Sequence, residues 1–199
     1  TDAEISRALP GDQMVPDANF ATTRALTIHA PPEKVWPWLV QIGQGRAGFY
    51  SYDLLENMMG LNIYSADQIV PELQDLEAGD TIPLEPEGSG YTVAEVELNH
   101  YLLLYTGAEG EGILDQVFQE ADAASTWLFF LEKRDVEHTR LIVRWRARWN
   151  RLASPTSFLI GVFLDPIEFI MERKMLRGIR QRAETAELDR SKESLTEAQ

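Results

Sequence analysis

The chain has 199 residues, 44% of them hydrophobic and 10% aromatic, and a formal net charge of −14. That length supports one domain with a sizeable core, and the charge argues against nucleic acid and anionic membrane surfaces, which bind net or clustered cations. There is no cysteine, which excludes disulfides, thiolate nucleophiles and Cys-ligated metals, and no apolar run approaches the roughly 18 to 20 residues of a membrane span.

Residues 1–21 are rich in Asp, Pro and small side chains and read as an N-terminal extension, with a short helix at Asp2–Leu9. Thr22–His29 follows as a strand with β-branched character. Ala30-Pro31-Pro32-Glu33 ends it and starts a helix, with Pro and an acid in the first turn. Val35, Trp36, Leu39, Val40 and Ile42 give that helix its buried side, and Pro37 bends it. Gly43, Gly45 and Gly48 punctuate a loop. Tyr50–Met59 reads as a second helix, closed by Gly60.

Strand character resumes at Asp80–Leu84. EPEGSG at 85–90 is a hairpin turn by composition, and Tyr91–Leu98 and Tyr101–Thr106 continue the meander. Residues 107–125 are Gly-rich and acidic, with one helical turn expected at Leu114–Phe118. Thr126–Lys133 and Thr139–Trp149 form the last strand pair. Asp165-Pro166-Ile167-Glu168 carries the marks of a helix start. At helical pitch, Ile167, Ile170, Met171, Met175 and Gly178 share one side, with Glu172, Arg173, Arg177 and Arg180 away from it. Residues 186–199 are a polar tail.

Strand, two helices, five or six strands in hairpin succession and a long helix describe an α+β domain over residues 22–185. One antiparallel sheet with helices on one side satisfies it. A curved sheet wrapped around a long C-terminal helix leaves a space between them, and such spaces bind ligands.

The stretch VQIGQGRAGFYSYDLLENMMG at 40–60, with APPEKVWPWL before it and ADQIVPELQDLEAGDTIPL after it, resembles a branch of the SRPBCC superfamily. That superfamily includes the START, Bet v 1 and polyketide cyclase-like helix-grip proteins. DPIEFIMERKMLRGIRQRAE is similar to the same branch, so the resemblance runs from about Thr22 to Glu184. It implies a helix-grip fold with a cavity for an apolar or aromatic ligand between sheet and C-terminal helix. It implies no shared catalytic set, because the superfamily hosts carriers, cyclases and co-chaperones. Some relatives of this kind continue from membrane-spanning sequence. The expected location is therefore cytoplasmic, or the soluble part of a longer membrane-associated protein.

Arg46, Tyr50, Tyr52, Asp53, Glu56 and Asn57 lie close together in sequence, and Asp53, Glu56 and Asn57 share a helix face. One reading makes Arg46 an anchor for a ligand anion, Asp53 or Glu56 a general base, and Tyr50 or Tyr52 a proton donor. The plainer reading pairs Arg46 with Asp53 or Glu56 to fix the glycine loop. On Thr139–Trp149, strict alternation puts Leu141, Val143, Trp145, Ala147 and Trp149 on one face. Arg140, Arg144, Arg146 and Arg148 take the other, with Ile142. Burying four cations unpaired would be costly, so they are expected to face solvent and pair with Glu95 and Glu97. Tyr101, Tyr105, Trp127, Phe129 and Trp145 are the aromatic lining candidates, with Ile167, Ile170, Met171 and Met175 as the helix side of the pocket. His29, His100 and His138 lack metal-ligand spacing, so neither metal nor cofactor is expected. The expected partner is an apolar small molecule.

Overall fold

In the computed structural model, residues 1–58, 60–86, 88–107, 116, 119, 122–150 and 169–185 are described, residues 55 and 56 by their backbone alone. A short helix α1 (Asp2–Ser6) precedes strand β1 (Phe20–Ile28), helix α2 (Pro32–Val40) and helix α3 (Asp53–Met58). Strands β2 (Thr81–Pro83), β3 (Gly90–Glu97), β4 (Tyr101–Thr106), β5 (Ala124–Lys133) and β6 (Thr139–Arg148) follow. Residues 169–185 are helical and are called α4 here. The expected helix start at Asp165-Pro166 and the polar tail lie outside the described residues, as does most of the turn expected at Leu114–Phe118.

All the strands form one antiparallel sheet in the order β1-β6-β5-β4-β3-β2. The meander β2–β5 and hairpin β5–β6 are local, and among the described strands only β1 pairs far along the chain, closing against β6. In β3 the register with β4 slips between Val93 and Glu95. A bulge of this kind bends and twists its strand, which helps the sheet to curl.

Alternation gives the sheet two unlike faces. The concave face carries Ile28, Leu102, Leu104, Phe129, Leu131, Leu141 and Val143, packed with Val35, Trp36 and Leu39 of α2 and with Met175, Leu176, Ile179 and Ala183 of α4. Each such side chain, fully buried, contributes about 1.5–3 kcal/mol. The face of α4 differs from the sequence expectation. Met175 and Gly178 are buried as expected, but the stripe runs through Glu172, Met175, Leu176, Ile179 and Ala183, and Ile170 is half-exposed. The stripe that packs is therefore shifted along the helix from the one expected, and it carries a carboxylate inwards.

The convex face is covered by residues 1–19, a strap that runs over β6 and β1. Leu9 joins Leu103, Leu128, Phe130 and Ile142 in a second small core. The four β6 arginines point at this strap, neither to open solvent nor to Glu95 and Glu97. The reason is topological: β6 lies between β1 and β5, whereas Glu95 and Glu97 sit on β3. Arg140 forks onto Glu4 at 2.7 and 3.0 Å. Arg148 reaches Asp17 at 3.1 Å, and Arg146 bonds the Val15 carbonyl at 3.2 Å. Arg144 binds Asp12 and three strap carbonyls.

Candidate functional site

The Gly-rich turn and α3 hold the polar residues singled out from the sequence, and their side chains are engaged with neighbouring backbone. Arg46 donates to the carbonyls of Val40 (2.9 Å), Ile42 (3.0 Å) and Leu73 (3.4 Å), so it caps the end of α2 rather than pairing with Asp53. Burial lowers its pKa from the ordinary arginine value. Asp53 accepts from the Ser65 amide (2.8 Å) and hydroxyl (2.6 Å), and Asn57 brackets Ile63 through both its amide atoms. Tyr50 is buried, with φ of 56°, and its hydroxyl accepts from Gln41 Nε2 at 2.8 Å. Burial pushes its phenol up to about 12. Gln41, fully buried, also receives the Val70 amide and Gln74 Nε2. These bonds knit residues 61–76 to the helices. Tyr52 is exposed at the start of α3 beside Lys174, and the Glu56 side chain is outside the described residues.

The concave wall is more distinctive where Trp127 and Trp145 face each other across β5 and β6. Phe20 stands edge-on to Trp145 at 5.2 Å, and Trp127 lies 4.8 Å from Phe129, 5.7 Å from Tyr91 and 6.5 Å from Phe49. Trp145 Nε1 donates to the Tyr91 hydroxyl at 3.0 Å, which shares a 2.8 Å bond with Ser125 Oγ. Phe129 is fully buried, whereas Phe20, Trp127 and Trp145 keep partial exposure. A small pocket beside Trp145, Ser125, Thr106 and Trp149 measures about 10 Å³, room for one water.

Next along β1, Arg24 shares the concave parity of Thr22 and Leu26, opposite Val143. Its guanidinium meets the carboxylate of Glu172 on α4, and it lies 5.0 Å over the Phe169 ring. The Glu172 side chain is only 4% exposed. The sequence reading missed this pair. Its signal was present in TTRALTIH, where Arg24 occupies an inward position between two residues that face the core, and Glu172 stands a turn before Met175 and Leu176.

The other lining candidates separate by parity. Tyr101 and Tyr105 lie on the convex face, opposite to Leu102 and Leu104, because strand parity is set by the core-facing leucines. Tyr101 donates to Glu95 at 2.9 Å, which raises its pKa. Met175 is buried in the core, Met171 is half-buried with its carbonyl accepting from Ser51 Oγ, and Ile170 is half-exposed. Ile167 lies outside the described residues. A groove of about 430 Å³ on the convex side, between strap and sheet, is walled by Arg7, Asp12, Arg144 and Arg146. Its central Arg144 already has all five donors engaged.

No protein-family model and no curated protein matches the chain. Solved structures do match. A hypothetical protein from Helicobacter pylori aligns over 89% of this chain and 96% of its own, at 13% identity and a TM-score of 0.51. A Mesorhizobium loti protein aligns over 86% and 98%, at 18% identity and a TM-score of 0.43. Norcoclaurine synthase from Thalictrum flavum, solved with dopamine and hydroxybenzaldehyde, aligns over 85% and 87%, at 10% identity and a TM-score of 0.43. Among the described residues, no helix is long and apolar enough to cross a membrane. A six-stranded antiparallel sheet curled around a C-terminal helix, with short helices after the first strand, gives this chain a helix-grip fold.

Proposed function

We propose that the protein binds a small molecule with an apolar or aromatic body, held between α4 and the aromatic end of the concave sheet. One observation carries this reading. Phe20, Trp127 and Trp145 line the same wall as Leu102, Leu104 and Phe129, yet they alone of these six keep solvent-reached surface. Large aromatic side chains on a concave face, left partly uncovered beside a few fixed polar groups, are what ligand sites present. Tyr91, Ser125 and the Trp145 indole supply such polar groups, already ordered by their mutual hydrogen bonds.

The reading is of binding without covalent chemistry. Arg46, Tyr50 and Asp53 each serve a neighbouring loop, and this leaves the cyclase or hydratase alternative without a free acid–base pair among them. Native mass spectrometry of the protein from its expression host should find an apolar adduct. Naphthalene-sized probes should quench tryptophan fluorescence, and Trp145→Ala should weaken binding by about tenfold. Absence of any adduct together with no quenching by apolar probes would sink the proposal.

A second reading, an interaction module, draws on one feature. Leu54, Met58 and Tyr64, on α3 and the loop after it, are 78%, 77% and 70% exposed. Exposed apolar surface of this kind marks contact sites when it is contiguous. Under that reading, Leu54→Ser with Met58→Ser would abolish partner capture and leave probe binding untouched.

A further inference from the structure

The outer side of α4 carries a charge pattern opposite to that of the chain as a whole. Five of the 18 lysines and arginines fall between residues 173 and 182, with no acid among them. Arg182 turns back to the Ala66 carbonyl and to Asp67. Arg173, Arg177 and Arg180 are exposed, and at helical pitch they share the side turned away from Met175, Leu176, Ile179 and Ala183. Among the described residues none of these three makes an ion pair. Half-exposed Ile170 continues their stripe toward the start of the helix. The surface next to it is apolar. Lys174 Nζ lies 5.8 Å over the Tyr52 ring, and Ser51 Oγ donates to the Met171 carbonyl at 3.1 Å, so α4 abuts the entry to α3. Leu54 and Met58 follow, a turn apart on α3, and Tyr52 is itself exposed. Side chains as exposed as Leu54 and Met58 protrude. They do not line a groove in which a partner's side chains could be buried.

We infer that the α3–α4 surface docks the protein reversibly on an anionic lipid bilayer, with the α4 arginines at the headgroups and Leu54, Met58 and Ile170 at the acyl boundary. Surface helices bind bilayers by apolar area together with attraction between Lys or Arg and anionic lipid. A guanidinium fork suits phosphate oxygens, and a deformable lipid surface takes protruding apolar side chains without a matching pocket. That is why a bilayer fits this face better than a folded partner, whose interface core has to be packed as densely as a protein interior. The net charge of −14 opposes the approach, but it is spread over the molecule and screened beyond about 8 Å at physiological ionic strength. A cation held at the membrane acts locally, and each is expected to raise affinity about fivefold. Docking should therefore be weak, salt-sensitive and confined to this side. The ligand pocket proposed above lies on the inward side of α4, so the two readings stand or fall separately.

Co-sedimentation of the full chain with vesicles tests it, using phosphatidylcholine alone and phosphatidylcholine mixed with about one-third phosphatidylserine. The mixed vesicles should capture the protein at about 0.1 M salt and release most of it at about 0.5 M, where screening is stronger. Vesicles of phosphatidylcholine alone should bind at least about tenfold more weakly. Arg173→Glu with Arg177→Glu should reduce capture by about twentyfold or more, and Leu54→Ser with Met58→Ser by about tenfold. All four positions are exposed, so the variants should keep the circular dichroism spectrum and the quenching by naphthalene-sized probes of the unaltered chain. No capture by the mixed vesicles, equal capture by both kinds, or capture that either double variant leaves unchanged would each overturn the inference. So would binding of polyglutamate without binding of vesicles, which would assign the face to an acidic protein partner.

Discussion

Arg144 has a side chain only 6% exposed, and each of its five donor hydrogens has an acceptor: Thr23 Oγ1, Asp12 Oδ2 and the carbonyls of Glu4, Ile5 and Arg7. Those carbonyls belong to the last turn of α1 and the residue beyond it, groups that a helix end leaves without intrahelical partners. Arg144→Leu would bury them, with Asp12, against hydrocarbon, and should cost about 3–5 kcal/mol in urea denaturation. Arg144→Lys has three donors and no planar fork, so it should fall between. A loss under about 1 kcal/mol for the leucine variant would mean that the arginine behaves like a surface pair. Tyr50 gives a different handle. Its phenol, raised by burial to about 12, keeps its proton in the folded state where the unfolded chain, near 10, has lost it. The group is therefore neutral to stability below pH 10 and erodes it as pH rises from there toward 12. Ultraviolet titration should show one of the six tyrosines ionising last, and Tyr50→Phe should remove that step. Six tyrosines titrating together would contradict the buried placement.

Helix α4 meets the Gly-rich turn at Gly178, where a Cβ would lie 2.5 Å from the Tyr50 carbonyl oxygen and 2.7 Å from its Cβ. Backbone cannot give way as a side chain can, so Gly178→Ala should push α4 off the turn. It should lower stability by about 1–3 kcal/mol despite alanine's better helix propensity, as a thermal melt would register. A neutral or stabilising alanine would place the helix further out. The existence of α4 was legible in the sequence, and its register was not. Periodicity over Ile167–Gly178 weighs apolar side chains alone, and the buried Glu172, balanced by Arg24 of β1, breaks that rule through a partner about 150 residues away. The strands were legible for the opposite reason. β4 and β6 alternate or run apolar between clear turns, and their ends fall within a residue of the turn signals. Trp145 could be placed inward by the alternation of β6, whereas Trp127 and Phe129 were candidates whose side parity could not decide, because β5 is apolar on both faces. Tyr101 and Tyr105 could not be separated from them, because β4 is apolar on both faces and parity needs a known core side. The strap's partners were invisible for want of any local signal. Nothing in residues 1–19 announces that four arginines more than 120 residues later are its seat.

At the scale of the molecule, an acidic protein has gathered four of its cations along one strand and covered them with its own acidic N-terminal segment. Repulsion within a chain of net charge −14 opposes compaction, so this local neutralisation matters more than isolated surface pairs would. Glu4 is the strongest of these contacts: the bidentate Arg140 guanidinium holds its carboxyl well below the usual carboxylate range. The sign of the consequence follows from linkage. An acid whose folded pKa is depressed adds stability that is fully present above its unfolded value, about 4.3, and disappears as pH falls below it. Other carboxylates titrate in the same window, so the test is a difference. Glu4→Gln should be less stable than the unaltered chain at neutral pH, and the gap should narrow, without yet closing, as the pH is lowered from about 5 to about 3. Urea midpoints of both proteins measured across that range give the answer directly. A gap that stays constant with pH would mean that Glu4 contributes through shape and hydrogen bonding rather than charge, and the strap would then be held by Arg144 and the small apolar core around Leu9 instead.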